Sequence, residues 1–258
     1  MKKLNILLLA TFSLCAVIFT GCKDDDDNPT PEVGAKFSIE LEHLAGTQQF
    51  HFDSIYTTAN GDAFTADMFK YYVSNIRLIR SDNTEYNIPQ TYFLVNHADE
   101  DSRLLSMDSL GNGTFKGIKF LLGVDSLHNV SGAQEGALDP NNGMFWTWNT
   151  GYIFLKMEGT SPAIPGASQD FAFHVGGFSG QNVNYREISL DFDGDMLQLA
   201  PNTHPELHLV VDVLELFTNP TNIDFATFPN NIMMPGPEAT ILADNYADLF
   251  TYDHIHND

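Results

Sequence analysis

Short runs in which apolar and polar residues alternate recur along the chain from residue 35 onward. In the first run Phe37, Ile39 and Leu41 alternate with polar or charged residues, as in a strand with one buried face. Turn-forming clusters of Gly, Pro, Asn and Asp separate the runs. The pattern predicts an all-β fold, an antiparallel β-sandwich, over residues 35–258. The further predicted strands cover residues 69–79, 92–95, 115–124, 146–157, 171–175, 188–192, 207–217 and 250–255.

Helical signals are few. Residues 65–69 are compatible with a helical turn, and residues 238–249 predict a short helix that begins after Pro237. We therefore expect one or two short helices beside the strands. The acidic run from Asp191 to Asp195 lacks the Gly and Glu that a calcium loop needs at its sixth and twelfth positions, so it favours a tight hairpin turn.

The N-terminal segment has the organisation of a signal peptide. Two lysines precede an apolar run over residues 4–19, which is shorter than the roughly 20 residues of a membrane-spanning helix. The run ends at Phe19-Thr20-Gly21-Cys22, which resembles a lipobox with Phe in place of the usual Leu. We expect removal of residues 1–21 and acylation of Cys22, so that the lipid holds the chain to an envelope membrane. The alternative is an ordinary secretory signal with a chance cysteine.

Residues 22–34 are too acidic and proline-rich to pack against a core, since they contain Asp24 to Asp27 followed by Asn-Pro-Thr-Pro. They predict a solvated tether. Its Cys-Lys-Asp-Asp start resembles an export signal for lipoproteins of the outer face of the outer membrane. We therefore expect a surface-exposed outer-membrane lipoprotein.

The charge balance narrows the choice of partner. The chain has 34 acidic against 12 basic residues and a net charge of −22, which disfavours nucleic acid and anionic lipid surfaces. Cationic ligands and metal ions are compatible with this charge, although acidity is also a common means of keeping a protein soluble. Because Cys15 leaves with the signal peptide and Cys22 is acylated, we expect a fold without a disulfide.

Four of the nine histidines are candidate metal ligands. His43 continues the apolar phase of the first strand, so it is predicted to face inward, where an imidazole needs a partner. His174 lies opposite Phe171 and Phe173, just before two glycines. The strand predicted at the C-terminus places the alternate residues His254 and His256 on one side, where both reach one ion. The other five are expected to be structural: His51, His97, His128, His204 and His208.

The chain's two tryptophans, Trp146 and Trp148, are spaced to lie on one side of a strand. Core packing, a stacking platform for a sugar ring and an oxidisable pair are all compatible with them. Motifs of serine hydrolases, zinc proteases, phosphate loops and dinucleotide folds are absent from the sequence, so we expect no enzyme. A glycosidase built from distant carboxylates remains an open alternative.

An ordered series of motifs resembles the MbnP-like family of methanobactin-associated copper-binding proteins. The most specific segment is Met-Phe-Trp-Thr-Trp-Asn-Thr-Gly-Tyr at residues 144–152. The other matching elements are His43, residues 69–78, residues 122–125 and residues 173–176. The resemblance implies a β-sandwich in which histidines bind copper. It also implies a tryptophan oxidised to kynurenine by a di-haem peroxidase-like partner.

Carried over by position, the resemblance makes His43 and His174 ligands and Trp146 or Trp148 the oxidised residue. One departure is the glycine-rich segment 176–180, where relatives from methane oxidisers carry a cysteine. The functional expectation is copper acquisition or sequestration by a surface-exposed, non-enzymatic lipoprotein. The alternative is a glycan- or peptide-binding lipoprotein of a nutrient-uptake system.

Overall fold

A computed structural model describes residues 34–132, 134–148 and 151–257. The predicted signal peptide, Cys22 and all but the last residue of the tether therefore lie outside the described residues. Within the described ranges, no helix combines the length and apolar character needed to cross a membrane.

Strands form most of the regular structure of the described residues. The two α-helices found there are α1 (Ser126–Val130) and α2 (Pro237–Tyr246), and short 3₁₀ helices cover Glu100–Arg103, Gly136–Leu138, Pro140–Asn142 and Val213–Phe217. The strands are β1 (Ala35–Ala45), β2 (Gln48–Gln49), β3 (Tyr56–Thr57), β4 (Ala63–Arg80), β5 (Glu85–Asn87), β6 (Tyr92–Asn96), β7 (Leu104–Leu110), β8 (Gly113–Leu122), β9 (Ile153–Thr160), β10 (Asp170–Gly176), β11 (Arg186–Asp191), β12 (Leu197–Leu199), β13 (Glu206–Asp212), β14 (Asn231–Ile232) and β15 (Phe250–His256). The predicted all-β class is confirmed.

The strands form two sheets. The five-stranded sheet has the order β15-β13-β1-β2, and β7 also pairs with β1. The ten-stranded sheet has the order β11-β8-β4-β9-β10-β14, and β3, β5, β6 and β12 pair with strands of this path. Both sheets are mixed, because β1 pairs with β13 and β10 with β14 in parallel.

The main core lies between the two sheets. Phe37, Ile39 and Leu41 of β1 are buried there, as the alternation predicts. The Phe250 ring of β15 contacts Tyr71 of β4 edge-on, with centroids 5.7 Å apart, and so joins the two sheets. Full burial of each large apolar side chain contributes about 1.5–3 kcal/mol, so this interface is the main source of stability. The sandwich arrangement is thereby confirmed.

A second, smaller core lies on the outer face of the ten-stranded sheet. Residues from the chain segment 124–154 cover Tyr72, which points away from the main core and is fully buried. The Tyr72 hydroxyl donates to the Ala137 carbonyl at 3.0 Å, and the Tyr152 hydroxyl donates to the Leu138 carbonyl at 2.6 Å. The two tyrosine rings meet edge to face, with centroids 5.8 Å apart.

The structure corrects several local predictions. Residues 65–69 belong to β4, because pairing with β9 overrides their weak helical signal. The predicted strand over residues 146–157 begins only at Ile153, because Phe145 and Tyr152 form an isolated bridge ahead of it that is not part of the strand. Residues 213–217 form a 3₁₀ helix, whose first turn the Asp212 carboxylate caps through the Leu214 N–H.

Two further predictions concern the second half of the chain. Helix α2 confirms the predicted C-terminal helix, with Pro237 as its first residue. The acidic turn at residues 191–195 is not a hairpin, because β11 and β12 pair in succession with the same strand, β8. Asp193 and Gly194 instead adopt positive φ values of 53° and 101° within a turn inserted along one sheet edge.

Asp125 fastens the segment over the outer face to the sheet. Its carboxylate caps α1 by accepting the His128 N–H at 3.1 Å, and it accepts hydrogen bonds from Asn75 of β4 at 3.1 Å and from the Tyr92 hydroxyl of β6. Burial opposes the charged form of Asp125, but the hydrogen bonds from Tyr92, His128 and Asn75 prevail and lower its pKa to about 2.

Replacement of Asp125 by Asn tests this anchor, because Asn caps a helix equally well but carries no charge. We expect a loss of about 1–3 kcal/mol in the free energy of unfolding at pH 7, measured by urea denaturation. Since the folded-state pKa is lowered, the contribution is complete above the unfolded pKa of about 3.9 and is lost as the pH falls toward 2. The variant and the wild type should therefore converge in stability at low pH; a gap that persists unchanged at pH 2 would refute the charge-based anchor.

Candidate metal centres

His43 lies in the main core, between the two sheets. The side chain is fully buried, and its ring centroid lies 5.3 Å from that of Phe69 and 5.7 Å from that of Tyr71, both on β4. Its inward orientation follows from its place in β1, two residues after Leu41 in the same apolar phase. The predicted inward orientation of His43 is confirmed.

Both ring nitrogens of His43 have partners. Nδ1 lies 2.9 Å from Nδ1 of His97, and Nε2 lies 2.8 Å from the Tyr71 hydroxyl. His97 directly follows β6, and its backbone N–H donates to the Phe69 carbonyl at 2.9 Å. Sequence reasoning missed His97, because its position after a strand does not indicate which side chain of the opposite sheet it meets.

Aromatic rings enclose the His43–His97 pair. The centroids of Phe50 and Phe52 each lie 4.7 Å from the His97 ring centroid. His51 lies between these two phenylalanines in sequence, and it too was expected to be structural. Its side chain is exposed, and its charge contributes to the low pKa of His97. His51 is therefore placed at the outer end of the pair.

Both histidines of the pair are held neutral. Burial, followed by the charges of His97 and Arg103, places the pKa of His43 well below its usual value. Burial, followed by Arg103 and His51, lowers the pKa of His97 to about 4. Neutral imidazole is the form that ligates metal ions. The pair is thus in the ligating protonation state at neutral pH.

The facing Nδ1 atoms define a position for an ion. At 2.9 Å a single proton lies between two neutral imidazole nitrogens, so one of the two rings always presents a lone pair to the other. If a metal ion takes the place of that proton, two bonds of about 2.0 Å require the nitrogens to separate to about 4 Å. Tyr71 then orients His43 from behind, as partners of ligating histidines commonly do.

His174 lies on the other side of the ten-stranded sheet. It aligns with Lys156 of β9, which aligns with Lys70 of β4, and paired residues of neighbouring strands share a face. His43 instead contacts Phe69 and Tyr71, which alternate with Lys70 and lie on the inner face. The structure therefore does not bring His43 and His174 together.

His174 has a carboxylate partner of its own. Nε2 lies 2.6 Å from Oε1 of Glu158, while the side chain is only 8% exposed. Burial lowers the pKa of His174 even though the hydrogen bond to Glu158 opposes that shift. This is the geometry of a satisfied buried histidine.

The C-terminal histidines lie on the outward face of the five-stranded sheet. His254 aligns with His208 of β13, and His256 aligns with Glu206. The Nε2 atoms of His254 and His256 are 3.0 Å apart. His208, which was expected to be structural, completes a cluster of three histidines. Its signal in the sequence is its phase with Glu206 on the polar side of β13, opposite Leu207 and Leu209.

Trp146 lines a cavity beside the outer core, and Trp148 lies next to Trp146. Trp146 is buried and Trp148 is 60% exposed, with ring centroids 6.1 Å apart. The indole Nε1 of Trp146 is buried and has no hydrogen-bond partner among the described residues. The cavity measures about 310 Å³. It is smaller than the cleft of about 440 Å³ beside the C-terminal histidines. The lining of the smaller cavity includes Trp146, Tyr152, Gly177, Phe178, Asn182 and Pro235.

The ten-stranded sheet separates the tryptophans from His43. Trp146 packs in the same outer cluster as Tyr72, whereas His43 bonds to Tyr71 on the opposite face. An oxidised Trp146 or Trp148 would therefore not ligate an ion held between His43 and His97. Cys22, the predicted site of acylation, lies outside the described residues.

Comparison with known proteins identifies relatives. The family model described as MbnP matches residues 34–234. Among solved structures, MbnP from Methylosinus trichosporium matches with a TM-score of 0.50 and 15% sequence identity, over 74% of this chain and 80% of that chain. This similarity shows a shared fold. A search of curated proteins gave no match. His43, His97 and His174 lie within the range matched by the family model, whereas His254 and His256 follow it.

Proposed function

The chain belongs to the MbnP family, as its sequence motifs predict, and on that premise we propose that it is a surface-exposed lipoprotein that binds copper between His43 and His97. Its role is acquisition or sequestration of the ion, without catalysis. The observation that carries the proposal is the pair of neutral imidazoles, His43 fully buried and His97 half-buried, whose Nδ1 atoms face each other at 2.9 Å.

The chemistry of the pair suits copper. Imidazole nitrogen is a common ligand of copper ions, and an aromatic enclosure with little water favours a low coordination number. His51, whose charge helps to lower the pKa of His97, supplies a third ligand if its exposed ring turns inward. Membership of the MbnP family supports copper among the metals that imidazole binds. The fit of the site rests on this chain's own residues.

Copper binding is tested with the full-length chain, purified without a histidine tag and titrated anaerobically with Cu(I) against a coloured chelator. We expect His43→Ala and His97→Ala each to weaken binding at the buried pair at least tenfold, because each removes one of two facing ligands. His174→Ala is the matched control, since it removes an equally buried histidine from the opposite face of the sheet. Circular dichroism checks that each variant is folded.

Two results would contradict the assignment. Unchanged affinity in folded His43→Ala and His97→Ala proteins would exclude the pair. If His174→Ala lost copper while His43→Ala and His97→Ala kept it, the copper site would lie on the outer face of the ten-stranded sheet.

The lipid anchor is part of the proposal. It rests on the segment Phe19-Thr20-Gly21-Cys22 and the acidic tether that follows. The full sequence has a net charge of −22, and an anchored chain of this acidity attracts cations at the cell surface and keeps captured copper near the membrane.

Cells grown with labelled palmitate test the anchor. We expect label in the wild-type chain and none in Cys22→Ser, because the thiol is the acylated group. Cys15→Ser is the control and should keep the label, since Cys15 lies within the removed segment. An unlabelled wild type would show that the chain is secreted without a lipid.

A second candidate function, capture of a glycan or peptide, is favoured by the cavity beside the tryptophans. The unpaired indole N–H of Trp146 needs an acceptor, and a ligand oxygen would supply one. The exposed Trp148 ring, whose centroid lies 6.1 Å from that of Trp146, offers a stacking surface for a sugar or aromatic ring.

Tryptophan fluorescence distinguishes this function from copper binding. If a glycan or peptide occupies the cavity, titration with oligosaccharides or short peptides should quench the fluorescence, and Trp148→Ala should weaken binding about tenfold by removing the stacking ring. The His43→Ala variant should respond as the wild type does. An absence of quenching across both ligand classes would leave copper binding as the better account.

A further inference from the structure

The outward face of the five-stranded sheet carries a grid of ligating side chains. Strand pairing aligns Glu40 of β1 with His208 of β13 and His254 of β15 in one row. The next row contains Ser38, Glu206 and His256. Paired residues of neighbouring strands share a face, so all these side chains project to the same side. Leu41, Leu207 and Leu209 occupy the opposite, buried face.

The three imidazoles converge. The Nε2 atoms of His254 and His256 are 3.0 Å apart. The His208 ring stacks on that of His254, with centroids 4.1 Å apart, and meets that of His256 edge-on at 5.1 Å. One nitrogen from each of the three histidines lies within 4.8 Å of the others, which brings them within reach of a single ion.

Carboxylates extend the cluster. Oε2 of Glu40 lies 3.0 Å from Nδ1 of His208, and Oε1 of Glu206 lies 3.0 Å from Nε2 of the same ring. The latter contact lacks the geometry of a hydrogen bond. The Nε2 atom of His208 is buried, and it therefore has no hydrogen-bond partner among the described residues. A buried nitrogen without a hydrogen-bond partner destabilises the fold, and a bound ion would supply that partner.

Two further contacts orient the ligands from behind. Oδ2 of Asp253 lies 2.9 Å from Nδ1 of His254, which leaves Nε2 of His254 directed at His256. The Ser38 hydroxyl donates to Oε2 of Glu206 at 2.9 Å, which leaves Oε1 of Glu206 directed at His208. Such contacts to the non-ligating atoms are typical of metal sites.

An acidic cleft of about 440 Å³ adjoins the histidines. Its lining includes Glu40, Glu42, Glu100, Asp253, His208 and His254, with Arg103 as its one cationic side chain. The carboxylates raise the local concentration of cations, and the opening leaves room for water on a bound ion. An ion at this site would be exchangeable with solvent.

We propose that His208, His254 and His256, with Glu40 and Glu206 as additional oxygen donors, form a second metal site that binds a divalent transition-metal ion. Mixed imidazole and carboxylate ligands suit Zn(II), Cu(II) and Ni(II). The site is separate from the buried pair, because His43 lies on the inward face of the same sheet. Two of its three histidines follow the range matched by the family model, so the site is a feature of this chain's C-terminal strand.

Zn(II) is the probe, and the full-length chain without a histidine tag is titrated by calorimetry, with bound metal counted by elemental analysis. We expect the double variant His254→Ala/His256→Ala to lose the outward site, with affinity at least tenfold weaker. His204→Ala is the matched control, because it removes an exposed histidine from the turn before β13 and should bind as the wild type does. His43→Ala should also retain this Zn(II) ion, so the outcome is independent of the copper assignment.

Thermal unfolding supplies a second readout. Because the ion would join β13 to the edge strand β15, Zn(II) should raise the Tm of the wild type by several degrees and leave that of the double variant unchanged. The milder variant His254→Gln covers the case in which the double variant fails to fold. Unchanged Zn(II) affinity in either folded variant, or a wild type that binds no Zn(II) outside the buried pair, would overturn the proposal.

Discussion

Strand β4 is buried on both faces, and the separation of His43 from His174 and Trp146 depends on that constraint. Tyr71, Tyr72, Val73 and Ser74 are four consecutive buried residues, which is possible only if each face of the strand has its own cover. The five-stranded sheet covers the face of Tyr71, and the segment 124–154 covers the face of Tyr72. The strand therefore separates the candidate ligands on its two sides. His43 belongs to the inner side, whereas His174 and Trp146 belong to the outer side.

The inner side accommodates the buried His43 and the half-buried His97 because each gives the other a hydrogen-bond partner. A buried polar group without a partner costs about 1–3 kcal/mol, and the contacts of His43 with His97 and Tyr71 remove that cost without burying a charge. The same contacts make the pair receptive to an ion, since one shared proton is all that separates two lone pairs. The arrangement that stabilises the pair without metal is thus also the one proposed to ligate an ion. Replacing either histidine by an apolar residue of similar size would keep the packing and abolish the ligation.

The alternation of single strands was sufficient to predict the all-β class and the inward position of His43. It failed where pairing between distant strands decides the outcome. Asn75 adopts a positive φ of 53°, and the inward phase of β4 moves from Tyr71 and Val73 to Ile76 and Leu78. An irregularity of this kind cannot be predicted from a run of mostly apolar residues, because such a run shows no alternation whose phase could be followed. The roles of His97 and His208 were missed for a related reason: each depends on which residue of another strand lies opposite, and register is a property of the pair of strands.

Strand β1 provides the common frame for the two proposed metal sites. His43 points inward to His97, while Glu40, three residues earlier, points outward to His208. Residues an odd number apart in a strand face opposite sides, so one strand supplies both sites without either reaching the other. The inward site is enclosed by aromatic rings and admits an ion only when the ring pair separates, which favours slow exchange. The outward site faces an acidic cleft and lies on an edge strand, which favours fast exchange. If both proposed sites bind metal, the difference in burial alone would give one chain a retaining site and an exchangeable site, on opposite faces of one sheet.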